Sequence, residues 1–200
     1  MDSAPLSGVR VLDFTRVLSG PYCSLLLADL GADVIKVERP GLGDDTRHWG
    51  PPFLDEDKKI STYFASLNRG KRSIELDLAT EQGCQLLDRL VPKVAVVIEN
   101  FRPGVAEQLR LGHDRLSRLN PAIVTCSISG CGGTGPYAEY PATEIVVEAM
   151  SGLMEITGPA GRRPRPVRHR DDGHRHRPDR GDADRRGPAP GSFHRDRLLR

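Results

Sequence analysis

The chain has 200 residues, enough for one domain and an appendage. Its charge is split: residues 161–200 carry 13 Arg and a net of +7, whereas residues 1–160 carry a net of −5. A mildly acidic body gives nucleic acid and anionic membrane no footing as partners, and no apolar run approaches the ~18–20 residues of a membrane span.

In chain order, MDSAPLSG has neither the basic region nor the apolar core of a signal peptide, so a cytoplasmic protein is expected. Val9, Val11, Leu12 and Phe14 form a short apolar run that reads as a buried strand. Ser19-Gly20-Pro21 starts a helix with Leu25, Leu26, Leu27 and Leu30 as its apolar face, and Gly31 ends it. Val34, Ile35 and Val37 make a second strand that stops at Glu38-Arg39-Pro40. This strand–helix–strand unit is the building block of a parallel sheet. Ligands of such sheets lie beyond the carboxyl ends of the strands, here residues 15–18 and 38–40.

Residues 41–62 are polar and turn-rich, long for a structureless loop, with Trp49 and Phe53 as anchors. Residues 73–77 alternate as a strand. Residues 80–91 form a helix that Thr80 caps, with Leu86, Leu87, Leu90 and Val91 as its stripe. Residues 94–98 read as a central strand buried on both faces, ending in Glu99-Asn100-Phe101-Arg102. Helical stretches follow at 105–111 and 113–119, a strand at 122–128, and one helix over 143–156.

Arg16, Arg39, Lys71, Arg72 and Arg102 all fall at or beside strand ends, which points to a face that meets phosphates. Gly130 to Gly135 fits G-x-G-x-x-G after a strand. However, Pro136-Tyr137 continues the loop and no acid follows at a strand end, so a dinucleotide site is not expected. A ligand lid or a plain glycine turn both remain. Asp13 and Asp33 read as structural. Cys23, Cys84, Cys126 and Cys131 show no CxxC pair and read as buried reduced thiols. His113, His174 and His176 do not make a metal site.

The segments PLSGVRVLDFTRVLSGPYCSLLLADLGADVIKVERPGLGDDTR, LNRGKRSIELDL, VVIENFRPGVAEQLRLG and LNPAIVTCSISGCGGTGPY, then EAMSGLMEITG, recur in this order in one family. Residues 5 to about 158 closely resemble the N-terminal part of the family III CoA-transferases. That group includes formyl-CoA transferase, carnitine-type CoA-transferases and α-methylacyl-CoA racemase. The resemblance implies an α/β fold with a Rossmann-like parallel sheet and flanking helices, and a CoA-binding region over residues 1–160. It also implies acyl-CoA and a carboxylic acid as substrates, with coenzyme A as substrate and no prosthetic group, and an interlocked homodimer. Carried over by motif, CoA contacts fall on Val17, Leu18, Arg39, the Leu76 and Ala79 turn, Asn100, Phe101, Arg102 and Glu144. Arg39 and Arg102 would meet the ADP phosphates. In the family's transferases an Asp attacks the thioester, passing through a mixed anhydride to an aspartyl-CoA thioester. In its racemases acid–base groups exchange the α-proton instead.

By spacing from Thr157-Gly158, that Asp aligns with Gly173, so no catalytic residue is assigned. Asp171 and Asp172 are near, within HRDDGHRH, which does not resemble the family segment. Residues 161–200 contain no Lys, Glu, Ile, Met, Thr, Tyr, Asn or Gln, as expected of a GC-rich gene read out of frame. A permitted coding of residues 162–178, read one base on, gives GGPVRFGIAMTDIATG, a family-like segment whose Asp forms across Gly173 and His174. The expectation is a truncated, inactive CoA-transferase fragment, with an acyl-CoA racemase of the same family as the open alternative, and a disordered Arg-rich tail produced by a frameshift. The rival is a non-catalytic module whose basic tail binds RNA or acidic proteins; its affinity would collapse with salt.

Overall fold

The computed structural model describes residues 4–55, 57, 60–141, 143–158 and 163–167. Of the expected tail only residues 163–167 are described, and there Arg165 N donates to Met154 O at 3.1 Å and Val167 N to Glu148 Oε2 at 3.0 Å; the rest, with Asp171, Asp172, Gly173, His174 and His176, lies outside the described residues.

Val11, Leu12 and Asp13 are wholly buried because their strand, β1 (Arg10–Asp13), is the centre of a five-stranded sheet. The strands β2 (Asp33–Glu38), β3 (Arg72–Glu75), β4 (Val96–Glu99) and β5 (Val124–Ser127) complete it in the order β3-β2-β1-β4-β5, every pair parallel. Alternate residues feed two cores. Leu12, Ile35, Val37 and Val97 face Leu87 and Leu116, which come from helices α3 (Glu81–Leu90) and α5 (His113–Leu119). Val11, Val34 and Ile98 face Cys23, Leu27 and Ala28 of helix α1 (Ser19–Asp29). Burial on both faces is why these strands read as continuous apolar runs.

Local chemistry sets the element ends. The hydroxyl of Thr80 accepts from Gly83 N at 3.0 Å and caps α3. Gly31, at φ +98°, turns the chain from α1 into β2. Within the loop after β2, a 3-10 turn at Asp45–His48 is capped by Asp44, and Trp49 lies against Tyr63 of α2 (Thr62–Asn68) with ring centroids 5.3 Å apart.

Two expected helices are shorter. The 105–111 stretch stops as α4 (Val105–Gln108), because Arg110 turns left-handed at φ +61° and Leu111 N bonds back to Ala106 O at 2.8 Å. The 143–156 helix is two pieces, α6 (Glu144–Met150) and α7 (Leu153–Ile156), broken where Gly152 takes φ +78°. Their apolar residues Ile145, Val146, Met150, Leu153 and Ile156 are exposed.

Candidate functional site

The strand order has a switch point. From β1 the chain builds outward through β2 to β3, then returns to lay β4 on the other side of β1. The connections leaving the carboxyl ends of β1 and β4 therefore part in opposite directions, and it is beyond such a point that ligands of parallel sheets lie. Residues 15–18 follow β1 there, and Asn100, Phe101 and Arg102 follow β4.

These two segments are locked together. Arg16 N donates to Asn100 Oδ1 at 2.8 Å, and Asn100 Nδ2 donates to Arg16 O at 2.8 Å. The Arg16 guanidinium lies 5.4 Å from the centroid of the Phe101 ring. Burial pushes the half-buried Arg16 below its usual pKa; the charge of Arg39 adds to this, while Asp45 and Asp44 oppose it. Arg16 and Arg39, at the ends of the adjacent strands β1 and β2, are like charges whose repulsion a bound anion relieves. Helix α1 also begins here, and no side chain caps its N-terminus.

Val17 has φ +67°, a left-handed conformation that a β-branched residue takes only at a cost. Its N donates to Asp44 Oδ1 at 3.4 Å. Lys36 Nζ donates to Thr15 O at 2.8 Å and lies 3.0 Å from Asp44 Oδ2, both side chains buried. Burial would raise the Asp44 pKa, but the Lys36 charge and the N–H and hydroxyl of Thr46 hold it below its usual value.

The site residues expected from sequence, Glu144 apart, fall at this one edge. Val17 and Leu18 follow β1, Arg39 follows β2, Leu76 and Ala79 follow β3, and Asn100 to Arg102 follow β4. Their states differ. Leu76 points into the core, and its N extends the sheet by donating to Glu38 O at 2.9 Å. Arg39 is exposed and pairs with Asp45 at 3.3 Å. Glu144 comes from elsewhere, the first turn of α6, with its side chain exposed.

Two expected phosphate-facing cations are not there. Lys71 is buried, 3.1 Å from Asp13 Oδ2, and donates to Pro21 O and Asn68 Oδ1 at 2.9 Å each. Arg72 opens β3 and grips Asp33 at the amino end of β2. Asp13 also accepts from Thr15 and Ser24, so it ties the end of β1 to α1. Lys36 and Asp44 were not legible as site residues: nothing in a sequence marks a left-handed valine that needs holding.

Beside this switch point, a cavity of about 500 Å³ opens at the carboxyl ends of β4 and β5. Phe101, Arg102, Glu99, His113 and Ser129 line it. Gly132 and Gly133 form part of its wall, and a Cβ at either would meet nothing within 4 Å. Among the described residues, no cluster of His, Cys, Asp and Glu suits a metal, and no helix is long and apolar enough to cross a membrane.

Comparison with known proteins adds three findings. The family model described as CoA-transferase family III matches residues 6–170. The chain is 51% identical over 157 residues to the succinate–glutarate CoA-transferase of Agrobacterium fabrum, and 48% identical over 155 residues to the succinyl-CoA:glutarate CoA-transferase of Mus musculus. These alignments cover 77% and 78% of this chain but 39% and 35% of those proteins, so the chain spans well under half their length. The crystal structure of a CAIB/BAIF family protein from Brucella suis superposes with a TM-score of 0.77 at 46% identity, over 83% of this chain and 44% of that one.

Proposed function

The chain belongs to CoA-transferase family III, and from that premise we propose that residues 1–160 are the CoA-binding half of a transferase. The whole enzyme would move CoA from an acyl-CoA thioester to a carboxylic acid. The observation that carries this reading is the β1–β4 switch point, where Arg16, after β1, lies against the ring of Phe101, after β4, with Arg39 at the neighbouring end of β2. Arg39 and Arg102 take the ADP phosphates, while Val17, Leu18 and Phe101 take the apolar parts of the cofactor. The Leu76 to Ala79 turn contributes backbone, since the Leu76 side chain is in the core. Short dicarboxylates are the acids of choice, by likeness to the two relatives named for succinate and glutarate. The working assembly is an interlocked homodimer.

The chain as it stands does not turn over. Its nucleophile position falls on Gly173, and residues 161–200 are an out-of-frame reading of the family's catalytic segment. Reading the gene around codon 160 and restoring the frame gives the test. The restored protein should exchange CoA between succinyl-CoA and glutarate, and replacing its new Asp by Asn should abolish exchange. The 200-residue chain should bind CoA without exchange. Exchange by the unrestored chain, or no family-like continuation in the shifted frame, would refute this reading.

A further inference from the structure

Three consecutive residues after β1 are gripped from three different elements. Thr15 O is held by Lys36 of β2 at 2.8 Å. Arg16 is held at both its N and its O by Asn100, beyond β4. Val17 N is held by Asp44, in the loop after β2, at 3.4 Å. The first and third grips are coupled, since Lys36 and Asp44 form a buried ion pair at 3.0 Å. What the grips enclose is a valine at φ +67°. Glycine would take this conformation without cost, whereas a β-branched residue stays there only if its surroundings over-determine it. Such strain clusters where a ligand is met.

Resting on the CoA-binding reading above, we propose that Asn100, Lys36 and Asp44 are positioning residues that hold the Arg16–Val17 turn left-handed, so that the turn, and not the Asn100 amide, meets CoA. An Asn whose amide is held at both ends by the N–H and C=O of one residue cannot swing to a ligand without breaking both bonds. Asn100 is thereby moved from the set of direct contacts to the set that shapes them.

A double-substitution cycle in the full chain tests this, read by calorimetric titration with CoA and by thermal melting. Asn100→Ala should weaken CoA binding about tenfold when residue 17 is Val. In a Val17→Gly background the same change should cost less than about twofold, because glycine holds the turn unaided. Equal losses in both backgrounds would show that Asn100 touches CoA itself and would overturn the proposal. Asn100→Asp is the gentler second variant: it keeps the acceptor for Arg16 N and loses the donor to Arg16 O. Its loss should also shrink in the glycine background, and an unchanged loss overturns the proposal equally. A wild-type chain with no CoA affinity defeats the functional reading instead. Melting temperatures then decide the clamp alone: non-additive shifts support it and additive shifts refute it.

Discussion

Glu38, at the carboxyl end of β2, takes four hydrogen bonds on a buried carboxylate. Arg47 donates to both oxygens, at 2.7 and 2.6 Å; Ser73 of β3 adds a hydroxyl and Asp44 adds its N at 2.9 Å. Burial pushes its pKa up, but Arg47, Ser73 and Asp44 together bring it down from 4.5 to about 2. A depressed carboxyl stabilises the fold above its unfolded value. That stability is lost as pH falls from about 4.5 toward about 2. At ~1.4 kcal/mol per pKa unit the shift corresponds to about 3 kcal/mol. Solvent screening at the partly exposed Arg47 reduces this to about 2 kcal/mol. Glu38→Gln keeps the shape but turns an NH2 toward a donor. It should lower stability at pH 7 by about 2 kcal/mol, or Tm by about 6 °C. Urea titrations of both proteins from pH 7 to pH 3 provide the check: both weaken as Asp33 and Asp44 protonate, but the wild type also loses the Glu38 contribution, so the gap should narrow. A gap that stays constant over this range, or no gap at pH 7, would refute the argument.

Asp13→Asn leaves the Lys71 ammonium buried without a counter-charge and should cost about 3–5 kcal/mol in urea unfolding; a cost under about 1 kcal/mol would mean the pair is not closed in solution. Gly20→Ala puts a Cβ into the Thr15 side chain at the start of α1, so Tm should fall in step with a loss of about 1–3 kcal/mol, and an unchanged Tm would contradict the packing. Arg39→Ala should weaken CoA about tenfold and flatten the salt dependence of binding, since its ion pair with Asp45 is exposed and leaves its charge available; an unchanged salt slope would remove Arg39 from the phosphate site.

The sheet was legible because its strands are short apolar runs closed by Gly, Pro and charged residues, and Thr80 and Gly31 mark their elements by residue type alone. The edge that carries the site was legible for the same reason: strand ends are where apolar runs stop. What the residues do there was less so. Lys71 and Arg72 look like Arg39 in sequence, a cation beside a strand. Only the register shows that Arg72 opens β3 against Asp33, and only packing shows that Lys71 is sealed over Asp13. Asn100 has the same limit, since its partner Arg16 lies 84 residues away. The break at Gly152 was missed because Ile145, Val146, Ala149 and Leu153 keep a helical period across it. Periodicity does not register a single left-handed residue.

At 22.0 kDa the chain suits amide-resolved NMR, and a titration with CoA tests the central claim most directly. The amides that shift should be those of one edge: Val17 and Leu18 after β1, Arg39 after β2, Ala79 after β3, and Phe101 and Arg102 after β4, with those of the α3 and α5 face silent. No shifts in a folded sample, or shifts gathered at the amino ends of the strands around Asp33, would contradict a CoA site at the β1–β4 switch point.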